Sequence, residues 1–197
     1  MFMPHTASMT VIDPLKFNDT LDSLSNFTAT SSGSGVNISS SILQWAGTTD
    51  GQAIIKYNSQ PRTTNQYGAA ITSTMTGNGS GIILHCDSSN TGYYGAVFYN
   101  STIKLVRTSG RWTQNTITQL ATYSITINSG DLIEFWNIGN VFNIAVNGTT
   151  YISQSISSPV IGPLNMFQGI GLYRLSFTNS TSITEWRGGD AGAYGKL

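Results

Sequence analysis

The sequence predicts an all-β domain, a sandwich or jelly roll built from two antiparallel sheets. Three observations predict it. Apolar residues recur at every second position, glycine and asparagine clusters interrupt them at short intervals, and no window sustains a three-to-four-residue period. The stretch GDLIEFWNIGNVFNIAVNGTTY, residues 130–151, shows the pattern at its densest. Leu132 and Trp136 alternate with Ile133 and Phe135, and after Gly139-Asn140 the residues Phe142, Ile144 and Val146 fall on one face. Gly139-Asn140 and Asn147-Gly148 are two-residue pairs that tolerate positive φ, so the segment reads as three strands joined by tight hairpins.

The remaining elements follow in order. Residues 1–14 carry two prolines and no alternation, and read as an extended arm in front of the domain. A short helical turn is admitted only near residues 14–24. Strands are expected at 42–45, 52–57, 67–76, 81–86, 93–99 and 102–108, then at 120–127, 131–138, 141–146, 149–153, 168–177 and 182–186, separated by turn clusters such as TGNGSG, DSSNTG and NSG. About a dozen short strands at that spacing suit a sandwich or jelly roll. The domain is therefore expected over residues 15–187, and the closing GGDAGAYGKL, residues 188–197, as a glycine-rich irregular tail or docking peptide.

Charge is scarce: nine basic and nine acidic residues among 197 balance to zero, so no polycationic face is available to neutralise a run of phosphates. Nucleic acid is not an expected partner. No stretch is long and apolar enough to span a bilayer, and MFMPHTASMTVIDPL has neither the basic leader nor the apolar core of a signal peptide. Cys86 is the only cysteine, which excludes an intrachain disulfide, and within GIILHC it reads as a small buried hydrophobe. The seven Asn-x-Ser/Thr matches at Asn18, Asn26, Asn37, Asn78, Asn100, Asn147 and Asn179 are what abundant Asn, Ser and Thr produce by chance.

The order of motifs resembles a known family. Phe17, Leu21, Leu24 and Phe27 in an F-x-x-x-L-x-x-L-x-x-F opening, then GYYGAVF, GDLIEF, FNIAVNG and GIGLY, resemble concanavalin A-like and laminin G-like β-sandwich modules across residues 15–190. The closing SITEWRGGD is similar to the end of such modules in virion proteins of phages that infect mycobacteria and their relatives. The resemblance implies a concanavalin A-like jelly roll serving as a minor tail or capsid-decorating subunit of a tailed phage. It implies a product made in the host cytoplasm and located in the virion. It also implies contacts to other virion proteins through the arm and tail, homo-oligomeric assembly in the particle, and a glycan of the host envelope as a partner for the alternative, carbohydrate-binding role.

Sandwich glycanases hold two carboxylates about 5 to 10 Å apart across one glycosidic bond. Here the only glutamates, Glu134 and Glu185, fall on different expected strands without an acidic neighbour on the same face, so no catalytic residues and no enzyme are expected. Glu134 reads as an exposed-face or hydrogen-bonded structural carboxylate. His5 and His85 are too few and too isolated for zinc, and the adjacent His85 and Cys86 point to opposite faces of a strand. Calcium is the one cofactor left open, since the loop from Asp87 to Asn90 could offer oxygen ligands, though such a loop also reads simply as a turn. For a glycan or protein partner, the candidate residues are Asp87, Asn90, Tyr93, Tyr94, Arg111 and Trp112, with Tyr99 nearby. Trp112 stands out because it lies in a polar loop outside any alternating strand.

Overall fold

The computed structural model describes residues 13–108 and 117–196, and within them sixteen strands form. In chain order these are β1 (Lys16–Asp19), β2 (Phe27–Ser31), β3 (Val36–Ser39), β4 (Ile42–Trp45), β5 (Gly51–Tyr57), β6 (Gln66–Thr72), β7 (Ser80–Cys86) and β8 (Tyr93–Phe98). The second half supplies β9 (Thr102–Thr108), β10 (Ile117–Ser124), β11 (Leu132–Ile138), β12 (Val141–Val146), β13 (Thr149–Ser155), β14 (Phe167–Leu175), β15 (Thr178–Asn179) and β16 (Ile183–Asp190). Sheet A runs β13-β12-β11-β6-β16-β4-β3, with β1 also on β16, and sheet B runs β10-β9-β8-β7-β14-β5-β2, with β15 on β14. All named pairings are antiparallel.

The period-two pattern decides which face each strand buries. In β11, Ile133 and Phe135 enter the core between the sheets, where they meet Phe142, Ile144, Tyr94, Phe98, Ile82 and Leu84. Each such side chain fully withdrawn from water contributes roughly 1.5 to 3 kcal/mol. Leu132 and Trp136 turn outward instead and pack with Tyr67, Ala69 and Ala145 on the outer face of sheet A. Gly68 keeps the two sheets close: a Cβ there would lie 2.6 Å from Ile82 Cγ2 of the opposite sheet. Both hairpins expected in residues 130–151 are present, with positive φ at Gly139, Asn147 and Gly148.

Several expectations are corrected. Residues 14–24 hold the strand β1 rather than a helical turn, because Lys16 to Asp19 find ladder partners along β16. β2 and β3, whose polar residues hide their alternation, are recruited by β5 and β4. β6 stops at Thr72, short of residue 76, and β10 spans Ile117–Ser124 rather than residues 120–127. The start of the expected tail is a central strand: Gly188, Gly189 and Asp190 continue β16 opposite Gly68, Tyr67 and Gln66, and a 3-10 turn follows at Ala191–Tyr194. Of the expected arm, residues 1–12 lie outside the described residues, while the Asp13 carbonyl accepts a 2.9 Å hydrogen bond from Arg62.

Candidate functional site

The outer face of sheet B carries a depression of about 330 Å³ over β8, β9 and β10. Its lining follows from strand alternation. With Phe98, Ile103 and Leu105 directed into the core, Val97, Tyr99, Lys104 and Val106 line the opposite face, and Ile117 and Gln119 of β10 complete the wall. Register sets Val97 opposite Lys104 and Gln119 beside Val106. Val97 and Val106 make a buried apolar floor, Gln119 is exposed, and the Lys104 ammonium lies 5.1 Å from the Tyr99 ring centroid. Burial, with the Tyr173 hydroxyl as hydrogen-bonded neighbour, pushes the Tyr99 phenol well above its ordinary range, so it is a neutral hydrogen-bonding group. An apolar floor with an aromatic edge, one amide and one ammonium is the equipment a sugar ring needs: a surface for its C–H face and donors for its hydroxyls.

The expected site residues fall in three places. Arg111 and Trp112 belong to the β9–β10 connection, residues 109–116, and lie outside the described residues; the strands that carry this connection are two of the three that build the depression. Asp87 and Asn90 form the β7–β8 turn and are occupied there. Asp87 Oδ1 accepts the backbone N–H of Ser89 (3.0 Å) and Thr91 (2.9 Å), and Oδ2 accepts the Thr91 hydroxyl. Partial burial pushes the Asp87 carboxyl up, but these hydrogen bonds and the Lys56 ammonium outweigh it and leave it below the usual carboxylate range. Asn90 sits at φ 60 and donates to Thr30 Oγ1 at 3.1 Å. Both Asp87 oxygens are thus held within the turn, and among the described residues no three His, Cys, Asp or Glu side chains group to hold a metal ion.

Tyr93 and Tyr94 are not surface aromatics. They are 2% and 1% exposed, because Tyr94 enters the core between the sheets and Tyr93 packs in a cluster on the other face of β8, an inner strand of its sheet. Tyr94 packs on Phe142 with ring centroids 4.5 Å apart, and its hydroxyl accepts the Val160 N–H. Tyr93 belongs to an outer cluster with Ile83, Cys86 and Val106. His85 and Cys86 do diverge: His85 faces Asn137, Tyr94 and Phe142, while Cys86 joins that outer cluster. The two glutamates are held as structural groups. Glu134 accepts from the Tyr67 hydroxyl at 2.9 Å and pairs with Lys196 at 3.1 Å, and Glu185 pairs with Arg187 at 2.5 Å. Lys104, Val106, Ile117 and Gln119 were not singled out from the sequence. Lys104 and Val106 lie in the strand expected at 102–108, but nothing local tells the exposed face of a strand from the buried one, and Ile117 and Gln119 precede the strand expected at 120–127.

No protein-family model and no curated protein matches the chain. Solved structures do. The carbohydrate binding module CBM66 from Bacillus subtilis matches with a TM-score of 0.58 at 15% identity, over 81% of this chain and 94% of that one. A Bacillus subtilis protein of unknown function with a galectin-like fold matches at 0.61 and 8% identity, over 87% and 94%. The exoplasmic/lumenal domain of VIP36 with Ca2+ and Man3GlcNAc bound matches at 0.55 and 8% identity, over 81% and 84%. With its two antiparallel sheets, the chain has the concanavalin A-like β-sandwich fold that the order of its motifs implied, which is also the galectin-like architecture of its neighbours.

Proposed function

We propose that this protein is a non-catalytic carbohydrate-binding module whose glycan seat is the depression over β8, β9 and β10. The observation that carries this reading is the lining itself: Val97 and Val106 as floor, Tyr99 as aromatic edge, and Lys104 and Gln119 as polar contacts around a volume of about 330 Å³. The fold neighbours support the reading, since CBM66 is described as a carbohydrate binding module and VIP36 is seen with Man3GlcNAc. A glycan array followed by calorimetry tests it. Wild type retains a defined glycan, and Lys104→Ala or Gln119→Ala weakens it roughly tenfold each, the effect of one lost polar contact. Absence of any retained glycan, or indifference to both substitutions, overturns the seat.

A narrower reading is carried by the motif order: the module is a minor tail or capsid-decorating subunit on the particle of a tailed phage. In that setting residues 1–14 are the segment that meets other virion proteins or further copies of this chain. Mass spectrometry of purified particles finds this chain as a stoichiometric component if the reading holds, and its absence from washed particles overturns it.

A further inference from the structure

The outer face of sheet A, away from the glycan seat, holds a second arrangement of recognition groups. Register sets Glu134 of β11 between Ala69 of β6 and Ala145 of β12, so the carboxylate rises between two methyl groups. Two residues along β11, Trp136 lies beside Tyr67 of β6. The Tyr67 hydroxyl donates to Glu134 Oε1 at 2.9 Å. Glu134 is 6% exposed and Trp136 9%. The result is an aromatic face beside a carboxylate largely withdrawn from water, while Arg187, opposite Ala69 on β16, is paired with Glu185 at 2.5 Å.

The chain sets its own lysine against this carboxylate. After β16 the 3-10 turn Ala191–Tyr194 crosses the sheet, Tyr194 stacks on Tyr67 with ring centroids 4.0 Å apart, and its hydroxyl donates to the carbonyls of Phe17 and Gly188. Gly195 then takes the left-handed conformation, φ 68, and turns the chain back toward the sheet. There the Lys196 Nζ sits 3.1 Å from Glu134 Oε1 and 4.5 Å from the Trp136 ring centroid. An ammonium held at once by a desolvated carboxylate and an indole face is bound by charge and by the ring quadrupole, and both attractions vanish for a neutral amine derivative.

We propose that Glu134, Trp136 and Tyr67 form a binding site for an unbranched primary alkylammonium, the head of a lysine side chain, and that Lys196 is a resident occupant which a lysine on another protein displaces. Lys196 itself reaches Glu134 on an unbranched methylene stem, and that is the shape asked of a displacing ligand. Tethering gives Lys196 a high effective concentration, so the intact chain masks the site from free ligands. This inference is independent of the glycan seat, which lies on the other sheet.

The test uses the full chain with Lys196→Ala, and with Lys196→Gln as a second variant, both checked for retained fold by circular dichroism. The Trp136 indole N–H resonance is followed during titration with n-butylammonium, Nα-acetyl-lysine amide, its Nε-acetylated form and glucosamine. The two alkylammonium probes shift the resonance saturably in both variants, with affinity roughly tenfold or more above that of wild type. Adding Glu134→Gln to Lys196→Ala abolishes the shift, and Nε-acetylation of the probe does the same. The proposal is overturned if the folded variants show no saturable shift, if the acetylated probe binds as well as the charged one, or if glucosamine binds and the alkylammonium probes do not.

Discussion

His85 Nε2 lies 2.9 Å from Asn137 Oδ1 across the inter-sheet space, and the same Asn137 oxygen accepts the backbone N–H of Gln66. Asn137 donates in turn to the carbonyls of Thr64 and Gly139, while Gln66 Oε1 accepts the His85 backbone N–H. His85 occupies an irregularity in the β7–β14 ladder with φ 56, and this turns its ring inward. A neutral imidazole is thus one member of a fully buried polar network at one end of the core.

That neutrality makes stability depend on pH. Burial lowers the His85 pKa to about 4, against ring N–H hydrogen bonds to Asn137 and the Asn165 backbone that favour the charged ring. The unfolded chain, with a pKa near 6.5, binds a proton that the folded chain does not, so the stabilisation is complete above about pH 6.5 and is lost as pH falls toward 4. The loss totals roughly 3 kcal/mol at most. Urea midpoints measured between pH 7 and 4 fall in wild type, and His85→Gln flattens the fall across that window. An unchanged slope in the variant assigns the dependence to other groups.

Asp190 closes the fold around its own carboxylate. Oδ2 accepts the N–H of Leu15 (2.7 Å) and Arg62 (3.2 Å), and Oδ1 accepts the N–H and hydroxyl of Thr63 (2.6 and 2.8 Å). The carboxylate is 1% exposed, so these donors depend on it rather than on bulk water. Asp190→Ala leaves several donors unsatisfied and costs about 3 kcal/mol, whereas Asp190→Asn keeps an acceptor and costs about half of that. Chemical denaturation gives the sizes, and faster amide exchange at Leu15 and Thr63 locates the loss.

The β14–β15 turn places Ser176 and Phe177 at φ 53 and 66, where side chains other than glycine or asparagine are disfavoured, with the Phe177 ring 89% exposed. Asp50 Oδ2 accepts the Ser176 N–H, and Asn78 donates to the carbonyls of Leu175 and Thr178, so neighbouring loops hold the strained turn. Phe177→Gly relieves about 1 to 2 kcal/mol of strain, less about 0.5 to 1 for a freer unfolded chain. The expected outcome is a small rise in thermal midpoint. A fall would show that the ring packs against something in solution.

Cys86 is protected by its surroundings. Burial pushes its thiol up to about 12, the Lys56 ammonium pulls it down and the Asp87 carboxylate adds to the rise. Iodoacetamide at pH 8 therefore leaves the folded protein unmodified over times that label the urea-unfolded chain completely. Labelling of both forms at equal rates would contradict the buried thiol.

How much was legible depended on how local the cause was. The strands β4, β11 and β12 were readable because a period of two and a Gly or Asn corner are properties of a few adjacent residues. Asp87 and Asn90 were readable as loop residues for the same reason. β1, β2 and β3 were not, since Asn18, Thr28, Thr30 and Asn37 carry little apolar rhythm and become strand only by pairing with β16, β5 and β4. Gly188 and Gly189 read as tail, yet their lack of side chains is compatible with a sheet centre where Trp186 and the Leu15 backbone crowd in.

The amino-acid sequence by itself determined the all-β class, the hairpins at Gly139 and Asn147-Gly148, the isolation of its two glutamates and the absence of an intrachain disulfide, because each follows from residue type and short-range spacing. Only the tertiary structure decided that Tyr93 and Tyr94 are buried, that Val97, Tyr99 and Lys104 line one depression, and that Lys196 returns to Glu134. Those outcomes turn on which strands become neighbours and which side of a sheet meets its partner, and such long-range pairings leave no signature in any single stretch of chain.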